Sequence, residues 1–196
     1  MSVLLWRKLD LKVLQNRPYY IKDSDHCYYA REYISRGGYE ASGTNQLIMN
    51  FKKDPIKKSL AEWHYKLEAQ KKFAEELATI LPLNAEIAAI PTSKNKNDSA
   101  YDSRFEETFK ILLSKRDDVL IRDPLYVPKT VPPLHLTNKG SERSRSVNQK
   151  YTELALNKEE LALISANYLY LIDDVITTGA SFKASQQLLT ENFSGP

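Results

Sequence analysis

With 196 residues, 42% of them hydrophobic and 27% charged, the chain is long enough for one domain plus an elaboration and has the composition of a globular protein. No apolar run reaches the length of a membrane span, MSVLLWRKLD lacks a signal-peptide pattern, and the single Cys27 excludes an internal disulfide and a cysteine-based zinc site. A formal net charge of +3 permits an anionic ligand without arguing for nucleic acid, and the expected setting is cytoplasmic, away from a membrane.

Residues 1–58 are expected to form an accessory region. Leu11 to Tyr20 reads as a strand or extended arm, since Pro18 argues against a helix there. Gly37-Gly38 marks a turn, and Leu47 to Phe51 is apolar enough for a short strand that Asp54-Pro55 ends. His26 beside Cys27 has no further Cys or nearby His to support metal binding or nucleophilic chemistry, so packing is the expected role. The many tyrosines of this region suit a small aromatic core, with base stacking as the alternative.

A long helix follows. Ser59 and Glu62 have capping-box spacing, and Leu60, Trp63, Leu67, Ala74, Leu77 and Leu81 recur on one face. Lys66, Glu68, Lys71, Lys72, Glu75 and Glu76 fill the face expected to be solvated, His64 is a satisfied surface or core histidine, and Pro82 stops the helix. Glu86 to Ile90 is a short apolar strand. It runs into Pro91-Thr92-Ser93-Lys94, a turn offering two hydroxyls, an ammonium and backbone N–H groups to an anion. Ser103 and Glu106 again have capping-box spacing, and Phe105, Phe109 and Leu112 share one face of the helix that begins there. Asp118 to Ile121 is the next strand. Strand, helix, strand in sequence predicts an α/β fold, a parallel sheet with flanking helices.

Val127 to Ser146 is a long stretch rich in proline and charge, expected to be poorly ordered without ligand. His135, Lys139, Arg143, Arg145 and Lys150 form a basic cluster in or beside it, able to neutralise an anion or simply to be solvated. Tyr151 to Ala166 reads as a short strand or turn and then a helical turn. The most informative stretch is YLYLIDDVITTGASF, Tyr168 to Phe182. Its apolar run reads as a strand buried on both faces of a parallel sheet. Asp173 and Asp174 follow, acceptors suited to the hydroxyls of a sugar diol. Thr177, Thr178, Gly179, Ala180 and Ser181 then lead into a final helix reaching about Glu191. Glycine lets the backbone approach an anion, and the helix N-terminus supplies donors and partial positive charge. A phosphate beside a diol describes a ribose 5-phosphate.

LIDDVITTGAS resembles the signature of the type I phosphoribosyltransferases, and is most similar to their ComF-like branch. The resemblance implies that phosphoribosyl pyrophosphate, or a nucleotide, is bound. Asp173 and Asp174 would hold the ribose hydroxyls and, indirectly, Mg²⁺, while residues 177 to 181 would hold the 5-phosphate. IPTSK resembles the family's pyrophosphate loop, so Thr92, Ser93 and Lys94 would grip pyrophosphate, with Arg104 as a further anion contact or an ordinary surface arginine. Glu142-Arg143 and Asn148 resemble the branch's Glu-Arg-x-x-Asn pattern with altered spacing. Lys94 and Arg143 are the residues implied to stabilise the leaving group.

Residues 59–196 would then be the phosphoribosyltransferase-like core and residues 1–58 its hood. The family continues with a further strand after the final helix; without it the sheet edge would suit a second copy or a partner chain. An acid that serves the 6-oxopurine enzymes is a hydroxyl here, Thr177, and the branch's four-cysteine zinc element has no counterpart. Three readings stay open: a transferase passing ribose 5-phosphate to an unidentified acceptor with release of pyrophosphate, a non-catalytic sensor or regulatory module, and a partner in nucleic-acid biology.

Overall fold

The computed structural model describes residues 6–11, 18–131 and 146–193. The chain divides into two units, one helical (residues 1–14, 23–84 and 102–119) and one built on a parallel sheet (residues 15–22, 85–101 and 120–196). The helices after residue 58 and after residue 101 both join the N-terminal residues, so this division does not follow the expected single cut at 58.

In the helical unit, β1 (Arg7–Lys8) pairs antiparallel with β2 (Tyr28–Tyr29), and the Arg7 guanidinium lies 4.6 Å from the Tyr29 ring centroid. Cys27 is buried, in keeping with a packing role, whereas His26, from which packing is also expected, is exposed. The turn expected at the glycine pair closes with Gly37 N–H donating to Ile34 O at 3.1 Å. Asn45, wholly buried, ties that turn down: its amide accepts from Ile34 N–H and donates to the carbonyls of Ile34 and Gly38.

Leu47 to Phe51 is not a strand. It lies in helix α1 (Gly43–Phe51), started by Ser42, whose hydroxyl accepts the Asn45 N–H at 3.0 Å. Helix α2 (His64–Ile80) begins later than Ser59, after a 3₁₀ turn at Ala61–Trp63, and Glu62 pairs with Lys57 at 2.9 Å instead of closing a capping box. Its inward face is also rotated from the expected one. Leu60 and Leu67 are exposed, while Lys66, Ala69, Gln70, Ala74, Glu76 and Leu77 are buried. The two charges are tolerated inside because each has a partner: Lys66 meets Asp102, and Glu76 meets Arg31. Helix α3 (Arg104–Leu113) presents Phe105, Phe109 and Leu112 inward as expected, although the Ser103 side chain does not cap it. Phe51 meets Phe73 and Phe105 edge-on, with ring centroids 5.1 and 5.7 Å apart.

The sheet unit holds β3 (Glu86–Ala89), β4 (Leu120–Ile121), β5 (Leu125–Tyr126), α4 (Val147–Glu153), β6 (Ala155–Leu156), α5 (Lys158–Ala162), β7 (Leu169–Ile172) and α6 (Ala180–Asn192). β4, β3 and β7 form a three-stranded parallel sheet in that order, and β5 and β6 form an antiparallel pair. The fold is therefore mixed α/β, a parallel sheet flanked by helices. The central strand is β3, fully buried through Ile87 and Ala88.

β7 is an edge strand among the described ones, and not buried on both faces. Tyr168 and Tyr170 are 73% and 37% exposed, while Leu169 and Leu171 pack on a core cluster that includes Leu161, Ile164, Leu188 and Leu189. Helix α4 was not anticipated. Ser146 and Gln149 close a capping box at its start. No helix among the described residues is long and apolar enough to cross a membrane.

Candidate functional site

Two loops that lie some eighty positions apart in sequence leave neighbouring strands at the same end. β3 and β7 run parallel in the register Ala89↔Ile172, and Ile90 N–H donates to Ile172 O at 2.9 Å. Pro91–Lys94 therefore follows one strand where Asp173–Ser181 follows the other. The chain passes from β3 to β4 on one side, whereas β7 lies on the other side of β3. A parallel sheet binds ligands outside the carboxyl ends of its strands where the strand order reverses in this way.

After β7, Asp173 and Asp174 are half-buried, and the Asp173 carboxylate accepts the Asp174 N–H at 2.8 Å. Thr177 is exposed. The Thr178 carbonyl accepts the Tyr20 N–H at 2.8 Å, so the segment entering at Pro18 is fastened to this loop. Gly179 caps α6 with φ 82°, a left-handed conformation that a side chain would strain. A Cβ there would stand 2.6 Å from two carbons of the Ile21 side chain. The close approach that this glycine permits in the structure is thus to Ile21, where the sequence suggested an anion. Ala180 is buried and Ser181 half-buried in the first turn of α6.

After β3, the Thr92 hydroxyl is buried without a hydrogen-bond partner. Ser93 O accepts from Val131 N–H at 2.8 Å, and the Lys94 ammonium donates to Ala100 O at 2.9 Å within its own loop. Asn95 donates from its amide to Val127 O and Pro128 O. The first residues of the stretch expected to be poorly ordered, Val127 to Val131, are therefore laced to the loop after β3. Arg143, with His135, Lys139 and Arg145, lies outside the described residues. Arg104 belongs to the helical unit, where its guanidinium donates to Asp102 at 3.0 Å.

Lys150 belongs to the basic cluster that the sequence offers to an anion, whereas Glu153 and Ser185 are residues that sequence reasoning does not connect to these loops. A cleft in the sheet unit is lined by Thr92 and Ser93, by Lys150 and Glu153 of α4, and by Ser181 and Ser185 of α6. Ser185 is 0% exposed and its hydroxyl has no partner. The available signal was a serine on the otherwise apolar inward face of α6, next to Ala184 and Leu188. Lys150 and Glu153 stand 3.5 Å apart across one helical turn.

At the other end of β3, Glu86 is structural. It is 1% exposed and receives Arg122 at 3.0 Å, the Ser165 hydroxyl at 2.7 Å and the N–H groups of Ser165 and Ala166. Burial disfavours its charge, but these bonds outweigh burial and lower its carboxyl to about 2. The described residues contain no group of three or more potential metal ligands. Two adjacent carboxylates fit an ion such as Mg²⁺ only where a ligand's oxygens and water complete its coordination.

No protein-family model, no curated protein and no solved structure matches the chain.

Proposed function

We propose that the sheet unit binds phosphoribosyl pyrophosphate or a nucleotide with Mg²⁺ at the carboxyl ends of β3 and β7, in a type I phosphoribosyltransferase-like fold. The observation that carries this reading is the parallel register of β3 and β7. It puts the hydroxyl-rich Thr92–Lys94 loop beside the Asp173–Ser181 loop at a reversal of strand order. Asp173 and Asp174 would accept from the two ribose hydroxyls. The N-terminal turn of α6, with Thr177, Thr178 and Ser181, would take the 5-phosphate. Bound Mg²⁺ would neutralise pyrophosphate charge, with the two acids acting on it indirectly. In the transferase form of this reading, the chain's part is to orient the ribose and stabilise the departing pyrophosphate while an acceptor attacks the anomeric carbon.

One observation favours binding without turnover. Lys94, expected to face the leaving group, donates to Ala100 O instead. A sensor needs the strand-end loops alone, whereas a transferase needs a cation brought to the pyrophosphate.

Calorimetry with phosphoribosyl pyrophosphate and Mg²⁺ tests the ligand. Binding is expected in the parent, and Asp173→Asn with Asp174→Asn should weaken it by about tenfold or more, since a hydrogen bond to a charged group contributes roughly 1.5–3 kcal/mol. Unchanged affinity in the folded double variant would remove the diol assignment. Pyrophosphate release across a panel of nucleobases and amines separates the two forms: release with any acceptor establishes the transferase, and tight binding with no release establishes the sensor.

A further inference from the structure

The cleft between the loop after β3, α4 and α6 has a feature that no one of these elements explains alone. The cleft is small, with room for about one water-sized group. Thr92, from the loop after β3, and Ser185, from the second turn of α6, both line it. Both hydroxyls are buried and neither has a hydrogen-bond partner. A buried hydroxyl with nothing to bond to is destabilising, so two such residues beside one small cleft point to an occupant. Lys150 brings an ammonium to the same cleft, and Ser93 and Ser181 bring further hydroxyls. Apart from Glu153, the polar residues lining it all offer donors. The N-terminal end of α6 adds its partial positive charge to the same region.

We propose that this cavity is an oxyanion pocket. It receives one oxygen of a phosphoryl group, held by the hydroxyls of Thr92 and Ser185 with Lys150 as counter-charge, while the rest of the anion remains outside it. The proposal deepens the ligand reading above by bringing Ser185 into it and placing Lys150, one of the basic residues expected beside the loop, at a definite cleft. It depends on that reading only for the identity of the ligand, since any phosphate or pyrophosphate offers the same oxygen. Glu153, 3.5 Å from the Lys150 ammonium, holds that charge in place before an anion arrives and competes with the anion afterwards.

The probe is inorganic pyrophosphate with Mg²⁺, titrated calorimetrically into the full chain, with phosphoribosyl pyrophosphate as the second ligand. Lys150→Met should weaken pyrophosphate binding about tenfold, and Lys150→Arg should restore most of it, as expected for a charge-assisted contact. Ser185→Ala and Thr92→Val should each weaken it about three- to tenfold, in keeping with one lost hydrogen bond apiece. Glu153→Gln should tighten it. Asp173→Asn with Asp174→Asn should weaken phosphoribosyl pyrophosphate more than pyrophosphate, because pyrophosphate carries no diol.

If Ser185→Ala and Thr92→Val, shown to be folded by their melting curves, bind pyrophosphate as tightly as the parent, the pocket assignment is overturned. If phosphoribosyl pyrophosphate binds the parent and these variants alike, the pocket falls and the ligand reading stands. If pyrophosphate follows the variants while phosphoribosyl pyrophosphate binds no better than pyrophosphate, the ligand reading falls and the pocket stands.

Discussion

Each unit contains a buried polar cluster, and the two differ in where their donors end. In the helical unit, Lys66 is 1% exposed, and its ammonium meets Phe51 O at 2.9 Å, Lys53 O at 2.8 Å and the Asp102 carboxylate at 2.7 Å. Arg104 binds the same carboxylate. Two of the ammonium's donors reach backbone carbonyls within the unit, and the Asp102 carboxylate supplies its counter-charge. Burial lowers the lysine's pKa and Asp102 works against that shift. In the sheet unit, the Thr92 and Ser185 hydroxyls are buried with no hydrogen-bond partner, beside a cleft that both residues line. A closed cluster fixes loops and helices to one another. An open one has bonding capacity left for something that is not protein. Charge type and burial are therefore poor guides to function by themselves, and unspent donors are a better one.

The closed clusters should show the largest effects on stability and none on ligand binding. Asp102→Asn leaves Lys66 and Arg104 without their anion inside the helical unit. The expected loss is about 3–5 kcal/mol, as when one partner of a buried ion pair is removed. Denaturant unfolding measures it, and a loss below about 1 kcal/mol, the range of an exposed ion pair, would show that charge does not hold this cluster together.

Glu86 extends the comparison to a closed cluster within the sheet unit. Its carboxyl lies at about 2 in the folded chain, against an ordinary value of 4.5. A lowered carboxylate stabilises the fold fully above its unfolded value, and that contribution is lost as pH falls toward the folded one. Glu86→Gln should cost about 3 kcal/mol at neutral pH by leaving Arg122 unpaired. The gap between parent and variant should narrow steadily as pH drops from about 4.5 to about 2, the interval set by the two carboxyl values. A gap independent of pH would assign the loss to packing instead of charge.

The same contrast explains what the sequence could and could not disclose. β3 and its following loop, and α6 with the loop before it, were legible because a short apolar run ending in hydroxyls and glycine has few other readings. The edge position of β7 is also written in the chain, as the alternation of Tyr168 and Tyr170 with Leu169 and Leu171, although the run as a whole reads as uniformly apolar. Leu47 to Phe51 was misread because five residues cannot separate a strand from a helix, and the deciding group, Ser42, lies outside that window. Lys66 and Glu76 were placed in solvent because periodicity sees residue type and not partners, which come from Asp102 and Arg31. Arg104 follows the Pro91–Lys94 loop closely in sequence, yet it folds with the other unit. The pairing of Thr92 with Ser185 across one cavity depends on the register of two strands, which no local pattern carries.

Gly179 sharpens the comparison at intermediate cost. Gly179→Ala puts a side chain at φ 82° and 2.6 Å from Ile21, so about 1–3 kcal/mol of stability should be lost through strain and overlap. In an Ile21→Ala background the same change should cost less, and a double-mutant cycle reads the difference. An unchanged penalty would mean that backbone conformation, and not contact with Ile21, sets the requirement for glycine.

Ser185→Ala is expected to have the smallest effect on stability, and it is the one whose sign discriminates. In a closed cluster, removing a donor strands its partner and destabilises the fold. The Ser185 hydroxyl has no partner to strand. Folding has already removed it from water with nothing gained in return, so alanine at this position should leave stability within about 1 kcal/mol of the parent, on the stabilising side. Thr92→Val should behave alike, since it exchanges an unbonded hydroxyl for a methyl of similar volume. Thermal and denaturant unfolding of both variants without ligand provide the measurement. A loss of about 1–3 kcal/mol in either would reveal a hydrogen bond made in solution, and would turn this cleft into a second closed cluster whose occupant is structural. A small gain, together with weakened pyrophosphate binding, would place the two hydroxyls where stability has been given up for a ligand.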